Sequence, residues 1–255
     1  MSYWVAILVV IACSVGAAGV SYVVDRAVSI EQRRRHHEVG EPVFHLIGIM
    51  FSVLLAFVFS EVWNQYNTAA QAISGECGAL HGASILANAL PDKQGRPVNQ
   101  AIVRYAKTVV DEEWATMGQL DRSPQAAEDL RQAMDLAARL NLTRSIDISD
   151  QQQILALLAE AHNQRETRTF QIDLGLPLAM WTVMILLSGV LIGFVILSGS
   201  EAPGSVIFAG SFTGSIVMVL VLVRMLDFPF QGALALDNTD FIKLIGQVSA
   251  MTAGG

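Results

Sequence analysis

The chain has 255 residues, 53% of them apolar and only 15% charged, against the roughly 25% charge of an ordinary soluble domain. Sixteen Lys and Arg stand against 23 Asp and Glu, a net charge of −7, which excludes the basic face that a nucleic-acid partner requires. The two cysteines, Cys13 and Cys77, lie in segments of different character, so no disulfide framework is expected.

Charge is absent from four stretches, and each is expected to be a transmembrane helix. Tyr3 to Val24 carries no charge over 22 residues, and 43–60 carries none over 18. The others are 174–200 and Gly204 to Val223, the last span being expected over 204–226. A bilayer core needs about 20 apolar residues at a rise of ~1.5 Å, so each is long enough to span, the second only just. Tyr3, Trp4 and Tyr22 bracket the first span as interface anchors, with Trp63, Tyr66 and Trp181 near other ends. Val10-Ile11-Ala12-Cys13 matches the loose pattern of a lipoprotein cleavage site. No Lys or Arg precedes it and the apolar run continues to Val24, so an uncleaved first span is expected.

The loop 25–42 carries Arg26, Arg33, Arg34 and Arg35, followed by His36 and His37. Arg33, Arg34 and Arg35 are expected to set the topology and to meet anionic lipid. By the positive-inside rule this loop is cytoplasmic and the segment 61–173 extracytoplasmic. On the opposite face Arg165, Arg168, Arg224 and Lys243 stand against that reading.

The segment 61–173 differs in kind, with ten Lys and Arg and 15 Asp and Glu, and its apolar residues recur at helical spacing. Pro91 is expected to close the extension of the second span, and Pro97 to sit just inside a helix over 99–120. Ser123-Pro124 reads as an N-cap and first helical position, opening a helix to about Leu140. Ser149-x-x-Gln152 reads as the capping box of a last helix with Ile154, Leu157, Leu158 and Ala161 on its apolar face. After the fourth span, 227–255 reads as a C-terminal tail. Arg224 and Asp227 are spaced to pair, Pro229 to stop the helix, and Gly232 to permit a turn. The expected fold class is an all-α integral membrane protein, four transmembrane helices with a helical soluble domain inserted between the second and third.

No span carries Asp, Glu, Lys or Arg at its centre, which disfavours proton relays and voltage sensing. Small residues are patterned instead: Gly48, Ser52, Ala56 and Ser60 in the second span, Gly189 and Gly193 in the third, Gly210 and Gly214 in the fourth. These are expected to let helices pack closely. Beside the small stripe runs a large one, Ile47, Phe51, Leu55 and Phe59. If several copies ring an axis, this large stripe is expected to form an apolar constriction lining a pore. His45, His81 and His162 stand alone, and no nucleophile–base arrangement, phosphate loop or metal-ligand spacing occurs. No catalytic residue, metal or cofactor is therefore expected.

Several of these residues resemble the bestrophin-like domain family of bacteria and plants. They are the basic His-containing loop, Ala56-Phe57 to Trp63-x-Gln65-Tyr66, Glu113-Trp114-x-x-Met117, and Gly175-Leu176-Pro177 with Trp181. The set closes on Leu226-Asp227-x-Pro229-Phe230-x-Gly232. Phe228 stands where that last signature usually has Arg. The resemblance covers nearly the whole chain and implies an oligomeric anion channel of four spans, with an apolar neck formed by the second. It also implies a cytoplasmic helical domain, against the charge reading above. The expected partners are membrane lipid and further copies of the chain, with a protein partner of the helical domain as the alternative to conduction. The expected location is a bacterial inner membrane.

Overall fold

The computed structural model describes the backbone of residues 1–28, 30–198 and 204–253, and the side chains among them other than 30–39 and 253. The expected topology cluster Arg33, Arg34 and Arg35 lies outside the residues so described. Among the described residues the regular structure is all helical: α1 (Tyr3–Ala27), α2 (Ile30–Ala89), α3 (Arg96–Thr108), α4 (Trp114–Met117), α5 (Pro124–Ala138), α6 (Ser145–Asp173), α7 (Leu178–Leu197), α8 (Gly204–Leu226) and α9 (Thr239–Ala253). A 3₁₀ turn covers Pro91–Lys93 and a π-turn covers Val109–Glu113. Among the described residues four helices are long and apolar enough to cross a membrane: α1, the part of α2 within Gly40–Ala89, α7 and α8.

The chain divides into two compact units. The first comprises Met1–Asn64 and Gly175–Phe228 and holds the spans. Its surface is apolar in a way water would not tolerate, with Trp4, Phe57, Phe208 and Leu178 all largely uncovered. Packing inside it relies on close approach. A Cβ at Gly210 would sit 3.2 Å from the Ser14 carbonyl oxygen, and one at Gly214 would sit 2.5 Å from Ser14 Oγ, so α8 lies directly on α1. Nothing lies within 4 Å of a Cβ at Gly189 or Gly193. Those two glycines of α7 are therefore not packing points within the protomer.

The second unit comprises Gln65–Leu174 and Pro229–Gly255. Its core draws on α2 (Ile73, Leu80, Ala83), α3 (Val98, Ile102, Tyr105), α5 (Leu130, Ala133) and α6 (Ile154, Leu158, Ala161). The segment expected as a tail is part of this core: Phe230, Phe241, Leu244 and Val248 are all buried in it. Ser123 caps α5 as expected, accepting the Ala126 N–H at 3.3 Å, with Pro124 in the first turn. Helix α6 starts at Ser145, one turn ahead of the expected capping box, so Ser149 is an interior residue. The helix expected over 99–120 begins at Arg96 and is interrupted by the π-turn. That turn widens the helix by one residue and keeps Val109, Glu113 and Met117 on the buried face.

The two glycine sets give a paired test of the first unit. Gly214→Leu overpacks the α1–α8 contact and lowers stability by about 1–3 kcal/mol. Gly189→Leu leaves the melting temperature of the detergent-solubilised protein unchanged.

Candidate functional site: the open face of α2 and a buried ion network

In the first unit α2 has two opposite faces. Phe51 is only 6% exposed and packs against Leu191 of α7 and Ile216 of α8, with Phe44, Ile47 and Leu55 half-buried around it. The Phe44 ring stacks on Phe194 at 4.6 Å between centroids. Phe59, also half-buried, lies parallel to Trp63 at 6.4 Å. Thus Ile47, Phe51 and Leu55 of the large stripe, expected against a pore, are turned towards α7 and α8 inside the protomer, while Phe59 stacks on Trp63 of its own helix. The reason is geometric: Phe51 and Val53 are two residues apart and face opposite sides of a helix with 3.6 residues per turn. The open face is centred on Ile49, Val53, Ala56 and Ser60, with Ser52 and Phe57 beside them, all exposed. Of the small stripe, a Cβ added at Gly48 would lie 4.0 Å from a Leu191 methyl, while Ser52, Ala56 and Ser60 are exposed.

The residues at 226–232 work differently from the expected Arg224–Asp227 pair. Asp227 is buried and accepts the Leu176 N–H at 2.8 Å and the Trp181 Nε1–H at 3.4 Å. It thereby ties the end of α8 to the start of α7, where Pro177 precedes the first turn. Arg224 instead lies 4.0 Å over the Phe228 ring, which occupies the signature's usual Arg position. Helix α8 ends at Leu226 before Pro229, and Gly232 takes φ 85°, the left-handed conformation that favours glycine.

In the second unit, Phe230 meets the Trp114 ring edge-on at 6.0 Å, and Gln231 donates to the Gly118 carbonyl at 2.9 Å. Tyr66 Oη donates to the Leu234 carbonyl at 3.1 Å, and Trp114 Nε1 to the Leu236 carbonyl at 3.2 Å. Each of these signature residues therefore fixes the chain that follows Pro229.

Around Trp114 lies a network that the sequence reading did not single out. Arg168 is fully buried. Its Nε donates to Glu76 Oε2 at 2.9 Å, Nη2 to Glu113 Oε2 at 2.8 Å and to Glu76 Oε1 at 3.3 Å, and Nη1 to Met117 Sδ at 2.8 Å. The guanidinium also lies over the rings of Trp114 (5.7 Å) and Phe241 (5.4 Å). Arg165 donates to Glu113 Oε1 and, at 3.2 Å, to the Ser123 carbonyl, while Tyr105 Oη donates to Glu76 Oε1. Two guanidinium groups against two carboxylates leave the cluster neutral. Burial alone would lower the Arg168 pKa, but the Glu76 and Glu113 carboxylates outweigh it and raise it well above the usual value. Burial, then the Glu76 charge, pushes the Tyr105 hydroxyl well up, so it remains a donor. Among the described residues no group of three or more His, Cys, Asp or Glu converges as metal ligands would.

The bestrophin-like domain model matches residues 11–241. The chain belongs to the bestrophin-like family. Solved structures agree in fold. One described as a membrane protein has a TM-score of 0.77 at 14% identity, covering 95% of this chain and 98% of its own. A bacterial bestrophin homologue from Klebsiella pneumoniae gives 0.75 at 15% identity over 95% and 98%, and another crystal structure of that homologue gives 0.74 at 14% over 97% and 98%. No curated protein matches the chain. This bestrophin-like chain is thus an all-α membrane protein with the bestrophin fold.

Removing the Arg168 charge leaves buried Glu76 without a cation, while Glu113 keeps Arg165. Arg168→Met lowers the stability of the purified protein by about 3–5 kcal/mol. Adding Glu76→Gln to that variant, which leaves only the Arg165–Glu113 pair charged, restores part of the loss in thermal denaturation.

Proposed function

We propose that the protein is a homo-oligomeric ion channel of a bacterial inner membrane, with the open face of α2 lining an apolar constriction. The observation that carries this reading is the exposure of Ile49, Val53, Ala56 and Ser60 on a helix whose opposite face is packed against α7 and α8. Copies ringed about an axis would juxtapose this face, and a narrow apolar ring gates by dewetting. Membership of the bestrophin-like family supports the reading. The conducted ions are small anions, as the family resemblance implies. Purified protein in liposomes then shows ion flux above empty liposomes. Val53→Ala raises conductance, whereas Phe51→Ala lowers thermal stability and leaves single-channel conductance as it was. Absence of flux from protein shown to be folded and inserted sinks the channel reading. A reversal potential that follows the cation gradient sinks the anion assignment, and exposed Glu61 on α2 is the first residue to neutralise in that case.

The sidedness proposed from charge places Arg33, in the first turns of α2, in the cytoplasm. A cysteine at Arg34 is then labelled by an impermeant maleimide only after the membrane is opened. A second reading, a non-conducting scaffold whose helical domain binds a protein, is favoured by exposed Ile85, Ile146, Phe170 and Ile242 on the second unit. Crosslinking in membranes distinguishes the two: products made only of this chain favour the channel.

A further inference from the structure

The open face of α2 begins with an ionisable side chain. His45 is exposed, as are Ile49, Ser52 and Ala56, and at ~100° per residue these four fall within about 60° of one another around the helix. With Ile49, Ser52 and Val53, His45 lines the α2 side of a groove of about 510 Å³. Over 42–60 it is the single residue that ionises. Phe44, one residue earlier, is anchored on Phe194 of α7 and meets the imidazole edge-on at 5.9 Å. The register of the helix therefore holds His45 on the open side.

The ring also has a defined hydrogen-bonding state. Nδ1 lies 2.9 Å from the Glu41 carbonyl oxygen, which can only accept, so the neutral ring carries its proton on Nδ1. A second proton then enters at Nε2 and leaves the bond to Glu41 intact. Imidazole titrates between about pH 5 and 8, so each copy of the chain gains one positive charge across that range.

Few charges surround this end of α2. Helix α7 and α8 as far as Val223 carry no ionisable side chain. At the end of α1, Asp25 accepts from Ser205 Oγ and Arg26 lies 4.5 Å over the Tyr22 ring. On α2 itself Glu41, exposed, stands one turn before His45. The side chains of Arg33, Arg34, Arg35, His36 and His37 lie outside those described.

We propose that His45 sets the charge preference of the conducting path: protonated His45 side chains at one end of the apolar constriction favour anions over cations, and neutral ones do not. This rests on the reading of the open face of α2 as the pore lining. In copies ringed about an axis, His45 recurs at one distance from that axis, so its charges add where the span has none of opposite sign. Beside an apolar constriction they are weakly screened by water. Glu41 offsets part of this charge, but the step on protonation remains one positive charge per copy.

The test measures reversal potentials of the full-length protein in phosphatidylcholine bilayers under a sodium chloride gradient. Both sides are held at the same pH, which is taken from about 8 to about 5. The chloride-to-sodium permeability ratio of the wild type is expected to rise about threefold or more as pH falls. His45→Gln holds the ratio at its alkaline value throughout. His45→Arg holds it at the acid value, and serves if the Gln variant does not fold. His36→Gln/His37→Gln keeps the wild-type rise, which separates His45 from the other histidines of the first unit. A wild-type ratio that ignores pH, or a His45 variant that keeps the rise, overturns the role of His45 while the currents themselves persist. Absence of current from folded, inserted protein overturns the pore reading and this inference together.

Discussion

A guanidinium without solvent is the constraint on which the second unit depends. Arg168 has no exposed surface, so its charge and N–H groups must be satisfied by protein alone. Glu76 comes from α2, Glu113 from the π-turn, Met117 from α4, and the ring of Phe241 from α9. A planar fork that reaches two carboxylates and two rings permits little freedom in any of these elements. Apolar residues of the same volume could fill the space at comparable stability. What the ions add is direction, since each N–H of Arg168 must meet a group on a particular element.

The spans, their order and the helical character of the inserted segment were legible in the sequence, because lipid excludes charge over a length fixed by the bilayer. Side-chain direction around α2 was not. A large stripe and a small stripe on one helix are both apolar, and composition does not say which faces α7 and α8. The structure turns Phe51 inward and Ser52, Ala56 and Ser60 outward, the reverse of the expectation from packing rules alone. The ion network had left a trace that went unread. On α6 the apolar register 154, 158, 161 continues to Arg165 and Arg168, and on α2 the register 69, 73 and 80 encloses Glu76. Opposite charges at core positions of different helices are the signal of a buried pair. Glu113 was harder to find, since only the π-turn brings it into register.

The same local view explains the signature residues at 226–232. Asp227 holds the beginning of α7, while Phe230 and Gln231 are set among residues of the second unit. The chain passes from one unit to the other within three residues, with Pro229 at the boundary. Each side chain there has its own partner, so a short segment combines strict roles that have little chemistry in common. Phe228 keeps a cation at its position by another route, since Arg224 stacks on its ring.

The glycine contact of α8 on α1 has a consequence for the order of synthesis. Helix α1 emerges from the ribosome first, yet Ser14 meets Gly210 and Gly214 only after the whole helical domain has been made. Until then the first span must reside in the lipid, or beside an insertase, without the neighbour that it is shaped to fit. The spanning unit is therefore completed late, by lateral association of helices already inserted, and a chain halted before Gly204 leaves its first helix with α7 beside it but without the α8 surface that it is shaped to fit.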